Sequence, residues 1–101
     1  MSFTEVFNKK DQPSRKRLIF HGRVQGVGFR YEVIRAAKRL NLSGWVKNKA
    51  DLTVVCEAQG VEENSERLVF HMRSLRRANV TKVESTSIPL VEGEADFKVA
   101  W

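Results

Sequence analysis

Apolar residues recur along this chain with two different periods, and the switches between them mark out its elements. Residues 17–24 alternate: Leu18, Phe20, Gly22 and Val24 fall on one face, and Ile19, His21 and Arg23 on the other, as in a half-buried strand. The period then lengthens. Phe29, Val33, Ala37 and Leu40 form a helical stripe over residues 29–40, and Asn41 suits the left-handed position that ends a helix. Residues 44–49 and 52–59 read as two strands joined through Ala50-Asp51-Leu52, with Gly60 ending the second. A second helix is expected over residues 63–76, with Ser65, Leu68, Met72 and Leu75 inward. Residues 80–88 form a strand that Pro89 stops. Residues 95–101 alternate Phe97, Val99 and Trp101 against Lys98 and Ala100, as a terminal strand.

The order β-α-β-β-α-β plus one strand leaves two amphipathic helices to shield one face of one sheet. It predicts an α+β, ferredoxin-like two-layer sandwich with a mostly antiparallel sheet. Residues 1–14 lack a period and contain the break Asp11-Gln12-Pro13-Ser14. They are expected to be a flexible or loosely docked tail, with Phe3, Val6 and Phe7 as its only anchors, ahead of a single domain over residues 15–101.

Composition narrows the function only a little. A chain of 101 residues with 42% hydrophobic content supports one core. No apolar run approaches a membrane span, and the first ten residues lack the apolar stretch of a signal peptide, so a cytoplasmic protein is expected. Cys56 is the one cysteine. Strand alternation puts it with Leu52, Val54 and Ala58 as a buried free thiol, at home in a reducing compartment. The net charge is +6, and half of it lies in residues 1–17. The folded part is therefore mildly basic, which favours anionic ligands without choosing among them.

The chemistry concentrates in Gly22-Arg23-Val24-Gln25-Gly26-Val27-Gly28-Phe29-Arg30. Three glycines between a strand and a helix let successive N–H groups form a concave anion nest, and the helix start adds unpaired N–H groups. Arg30 sits in the first helical turn, where the dipole repels a cation. That local conflict assigns its charge to a ligand, and the guanidinium fork matches phosphate oxygens. The spacing fits neither a Walker loop nor a dinucleotide fingerprint.

This segment resembles the acylphosphatase signature Gly-x-Val-Gln-Gly-Val-x-Phe-Arg. Gly44-Trp45-Val46-Lys47-Asn48 resembles the family's second signature at the expected spacing, and the similarity extends over residues 15–101. The resemblance implies the same sandwich and the hydrolysis of acyl phosphates, the mixed anhydrides of carboxylic and phosphoric acids. It implies a phosphate-binding Arg30, a water-orienting Asn48, and a phosphate loop of Arg23, Val24, Gln25, Gly26, Val27 and Gly28 acting mainly through backbone N–H groups. It implies a small acyl phosphate as substrate, inorganic phosphate as product and competitive inhibitor, and no metal or other cofactor.

The remaining candidates read as structural. His21 is expected on the sheet face and His71 on the helix surface. Arg73, Arg76 and Arg77 read as a solvated helix end, and Trp45 and Trp101 as packing residues. The sequence departs from the family where an Asp-Gly turn becomes Asp51-Leu52. Leucine resists positive φ, so a different turn is expected there. A non-catalytic phosphate-binding module and an RNA-binding domain are the alternatives. The second would require aromatic residues on the central strands, and the stretch Leu52-Thr53-Val54-Val55-Cys56-Glu57-Ala58-Gln59 has none.

Overall fold

A computed structural model describes residues 11–101; the expected anchors Phe3, Val6 and Phe7 lie outside the described residues. The elements are β1 (Pro13–Arg23), α1 (Phe29–Arg39), β2 (Ser43–Asn48), β3 (Val54–Val61), α2 (Glu62–Arg73), β4 (Asn79–Ile88) and β5 (Phe97–Val99). The sheet order is β4-β1-β3-β2-β5. All pairings are antiparallel except β2 with β5. β1 and β3 are thus the central strands, and each helix crosses over one of them to reach the next strand. This is the two-layer α+β sandwich that the order of elements predicts.

Its core lies between sheet and helices. Leu18, Phe20, Val46, Val54, Cys56 and Ala58 meet Phe29, Val33, Ala36 and Ala37 of α1 and Leu68 and Met72 of α2, all essentially inaccessible to water. Burying each large aliphatic or aromatic side chain stabilises the fold by about 1.5–3 kcal/mol. Phe20 and Phe29 meet edge to face with centroids 5.2 Å apart. That contact fastens the end of β1 to the start of α1 and so sets the span of the segment between them. Burial pushes the Cys56 thiol well above its ordinary pKa, which leaves it an inert core residue.

Several boundaries differ from the periodicity. β1 begins at Pro13 rather than 17, because Pro13 and Ser14 pair with Val61 and Gly60 across a ladder that runs past Gly60. Its polar start is held by Arg15, which is almost fully buried. Arg15 Nε donates to Glu57 Oε1 at 3.0 Å and Nη1 to Glu94 Oε1 at 2.7 Å. α2 stops at Arg73, short of 76, where the Ser74 hydroxyl donates to the carbonyls of Phe70 and His71. β3 starts at Val54, so Leu52 does not share the face of Cys56; it lies in the preceding turn, largely exposed. The terminal strand is confined to Phe97–Val99. Asn41 has φ 56, and the N–H groups of Leu42 and Asn41 bond the carbonyls of Ala37 and Lys38, a Schellman closure of α1.

Candidate active site

Between β1 and α1 the chain has five residues to turn from strand into helix, and two glycines carry the turn. Gly26 and Gly28 have φ 74 and φ 76, conformations that a side chain disfavours. Gly28 is the N-cap of α1, and no side chain caps the helix. The first intrahelical bond runs from the Glu32 N–H to the Gly28 carbonyl. The N–H groups of the first turn therefore have no intrahelical acceptor, and they sit at the positive end of the dipole, where an anion is favoured.

The loop is tied to a second turn. Gln25 Nε2 donates to the Lys49 carbonyl at 2.8 Å and to the Thr53 carbonyl at 2.9 Å. Both belong to the connection between β2 and β3, immediately beyond Asn48. That connection is closed by the Lys49 N–H on the Thr53 carbonyl. The Asp51 carboxylate accepts from the Thr53 N–H and, at 2.6 Å, from its hydroxyl. Those bonds hold the Asp51 carboxyl below the usual carboxylate range. The expected different turn is not what forms. Leu52 takes φ 74, the conformation a glycine would hold, because the ladder and the Asp51–Thr53 bonds fix both sides of it.

A pocket of about 260 Å³ opens where these pieces meet. Val24, Gln25, Gly26, Gly28, Arg30 and Asn48 line it, and Tyr31, Ile34, Val99 and Trp101 give it an apolar side. Arg23 and Val27 do not line it: Arg23 is exposed at the end of β1, paired with Asn79, and Val27 packs against the core. Arg30 is half-buried and stacks its guanidinium over the Trp101 ring, 5.4 Å from the centroid. Trp101 is 90% exposed, so it is no packing residue of the core. Its ring face offsets part of the repulsion that a cation meets at a helix start. Asn48 ends β2 opposite Val54. Its Oδ1 is buried and has no hydrogen-bond partner in the protein. A buried amide oxygen without a partner costs about 1–3 kcal/mol, the arrangement expected of an atom kept for a ligand or water.

The residues read as structural divide. His21 does lie on the outer sheet face, where Nε2 is 2.7 Å from Glu84 Oε2, and it does not line the pocket. Trp45 is half-buried on that same face. His71 is not simply a surface residue: Nε2 lies 3.0 Å from Oε1 of the buried Glu32. That bond from His71 holds the Glu32 carboxyl below its usual range against the opposing effect of burial. Arg77 is not a free helix end either; its Nε donates to the Val27 carbonyl at 2.9 Å. The pairing role of Gln25 and the stacking of Trp101 have no local signal in the sequence, since both depend on what the sheet brings alongside. Among the described residues no helix is long and apolar enough to cross a membrane, and no three His, Cys, Asp or Glu residues are grouped as a metal site.

Comparison with known proteins bears directly on this arrangement. The sequence profile of the family described as Acylphosphatase matches residues 16–99. The acylphosphatase of Clostridium beijerinckii is 36% identical over 88 residues, which cover 86% of this chain and 98% of that protein. The acylphosphatase of Thermococcus kodakarensis is 42% identical over 86 residues, covering 84% and 93%. The crystal structure of the acylphosphatase from Bacillus subtilis superposes with a TM-score of 0.81 at 35% identity, covering 89% of this chain and all of that one. An RNA-binding reading gains nothing from the fold, since Phe20, the one Phe, Tyr or Trp on the central strands, is buried in the core and the His21 ring is paired with Glu84. The chain belongs to the acylphosphatase family.

Proposed function

We propose that this chain hydrolyses acyl phosphates to a carboxylate and inorganic phosphate by direct attack of water on phosphorus. The observation that carries the reading is the meeting, in one pocket, of an uncapped helix start, a guanidinium and a buried, unpartnered amide oxygen. The loop N–H groups of residues 24–28 and Arg30 hold the phosphoryl oxygens. Asn48 Oδ1 accepts a hydrogen bond from the attacking water and aims its oxygen in line with the P–O bond to the acyl group. As the new P–O bond forms, the old one breaks and its electron pair leaves with the carboxylate. The water's proton passes to a phosphoryl oxygen, giving orthophosphate. A carboxylate is a weak base, so it departs without a general acid, and positioning with charge stabilisation supplies the rest. Tyr31, Ile34, Val99 and Trp101 face the acyl portion. The free Cys56 thiol suits a reducing compartment such as the cytoplasm.

The test is phosphate release from an aromatic acyl phosphate by the purified protein, set beside a sugar phosphate. Hydrolysis of the first alone is expected, unchanged after exhaustive chelation, with inorganic phosphate a competitive inhibitor. Efficient cleavage of the sugar phosphate, or complete loss with EDTA restored by a divalent ion, would contradict the mechanism. Non-competitive inhibition would move the anion site out of this pocket.

A further inference from the structure

We propose that Arg77, which no part of the catalytic reading uses, is a positioning residue that sets the direction of an anion-binding N–H in the phosphate loop. Arg77 lies in the connection between α2 and β4. Its Nε donates to the Val27 carbonyl at 2.9 Å, and its Nη2 lies 3.4 Å from Glu32 Oε2. Glu32 is buried on α1, and its other oxygen is 3.0 Å from His71 Nε2. The guanidinium is thus anchored by a carboxylate that is itself held from α2.

The consequence follows from the peptide bond. The Val27 carbonyl and the Gly28 N–H belong to one planar trans unit, so they point to opposite sides. Fixing the carbonyl toward Arg77 turns the Gly28 N–H the other way, and Gly28 lines the pocket. A flip of this peptide turns ψ of Val27 and φ of Gly28. Gly28 holds a left-handed φ of 76 and, without a Cβ, accepts either sign of φ, so without the clamp the unit can flip and present a carbonyl to the phosphate. A donor on the carbonyl also polarises the amide and strengthens its N–H as a donor. Gln25 braces the loop on the β2 side and Arg77 braces it on the α2 side.

This inference rests on the proposed phosphate site, so its test includes a reading of the loop in the free protein. Arg77→Ala is compared with Arg76→Ala, which removes the same charge from the exposed neighbour, and with Glu32→Gln, which keeps Arg77 but weakens its anchor. Calorimetry with inorganic phosphate, steady-state kinetics on an acyl phosphate and amide exchange at Gly28 are measured for each. In Arg77→Ala, phosphate Kd and KM should both rise about tenfold, with kcat within about threefold, because the loop holds the phosphoryl group in substrate and transition state alike. Gly28 exchange should quicken in the free protein, and Arg76→Ala should match the parent throughout. Glu32→Gln should shift Kd and Gly28 exchange in the same direction by less; should Arg77→Ala fail to fold, this variant decides alone. The proposal is overturned if Arg77→Ala keeps the parent's Kd and Gly28 exchange. It is overturned equally if Arg76→Ala weakens phosphate as much, which would make the effect one of net charge. A parent that binds no phosphate refutes the site reading instead, and Gly28 exchange still decides the clamp.

Discussion

Leu52 holds a backbone conformation that leucine rarely adopts, with φ 74 and its side chain largely in water. The left-handed region costs a residue with a Cβ about 1–2 kcal/mol, and an exposed side chain recovers little of it. Leu52→Gly should therefore raise stability by roughly 0.5–1 kcal/mol, after allowing for glycine's looser unfolded chain. Thermal unfolding checks this: Tm should rise by a few degrees, and an unchanged or lower Tm would mean that the turn is not strained. The sequence points correctly to the poor fit of leucine here but not to its outcome, because strain at one residue is outweighed by a ladder and by the Asp51–Thr53 bonds. The meeting of Arg30 and Asn48 at one pocket is legible from sequence for a different reason. Each stands in a short, recognisable motif. Arg77 and Trp101 act across the fold, and their partners Val27 and Arg30 are 50 and 71 positions away along the chain.

At the scale of elements, the site is two turns braced together. Gln25 reaches from the loop after β1 to the turn after β2, and its two bonds place Asn48 relative to the loop glycines. Gln25→Ala should destabilise the fold by about 1–2 kcal/mol and weaken phosphate binding. Gln25→Glu should do more harm, since it sets a carboxylate against two carbonyl oxygens and beside the incoming anion. Urea midpoints and phosphate calorimetry on both variants measure this; a Gln25→Glu protein as stable as Gln25→Ala would show that the bonds do not carry the brace. The helices and inner strands were readable because each has one apolar face at a clear period. The start of β1 was not. Ser14-Arg15-Lys16-Arg17 reads as polar chain, and only the Glu57 and Glu94 carboxylates on other elements make Arg15 a buried residue.

For the whole molecule, the two faces of the sheet have opposite chemistry. One is the apolar core under the helices. The other carries an ion network in which Glu57 accepts from both Arg15 and Arg17. Burial works to raise the Glu57 pKa, but the bonds from Arg17 and Arg15 outweigh it and hold the carboxyl below its usual range. Glu32 is held low as well, through His71. A carboxylate whose pKa is depressed by folding contributes stability that is complete above its unfolded pKa and is lost as pH falls through the folded value. Stability should therefore stay level from neutrality to about pH 5 and fall below about pH 4.3. Urea midpoints against pH follow it directly. Glu57→Gln should be less stable at neutrality and show a shallower acid limb; an acid limb identical to the parent's would remove Glu57 from the account.

The division of labour between Arg30 and Asn48 is the central claim, and one paired measurement tests it. Phosphate affinity by calorimetry and turnover on an acyl phosphate are determined for Arg30→Gln and Asn48→Ala. On the proposed reading Arg30 holds phosphate in every state, so its variant should lose affinity and turnover together. On the same reading Asn48 acts on the water, so its variant should lose turnover while binding phosphate nearly as the parent does. Each should lose at least about 10²–10³ in rate with the fold retained. An Asn48→Ala protein within about tenfold of the parent rate, or an Arg30→Gln protein that binds phosphate as tightly as the parent, would contradict the account.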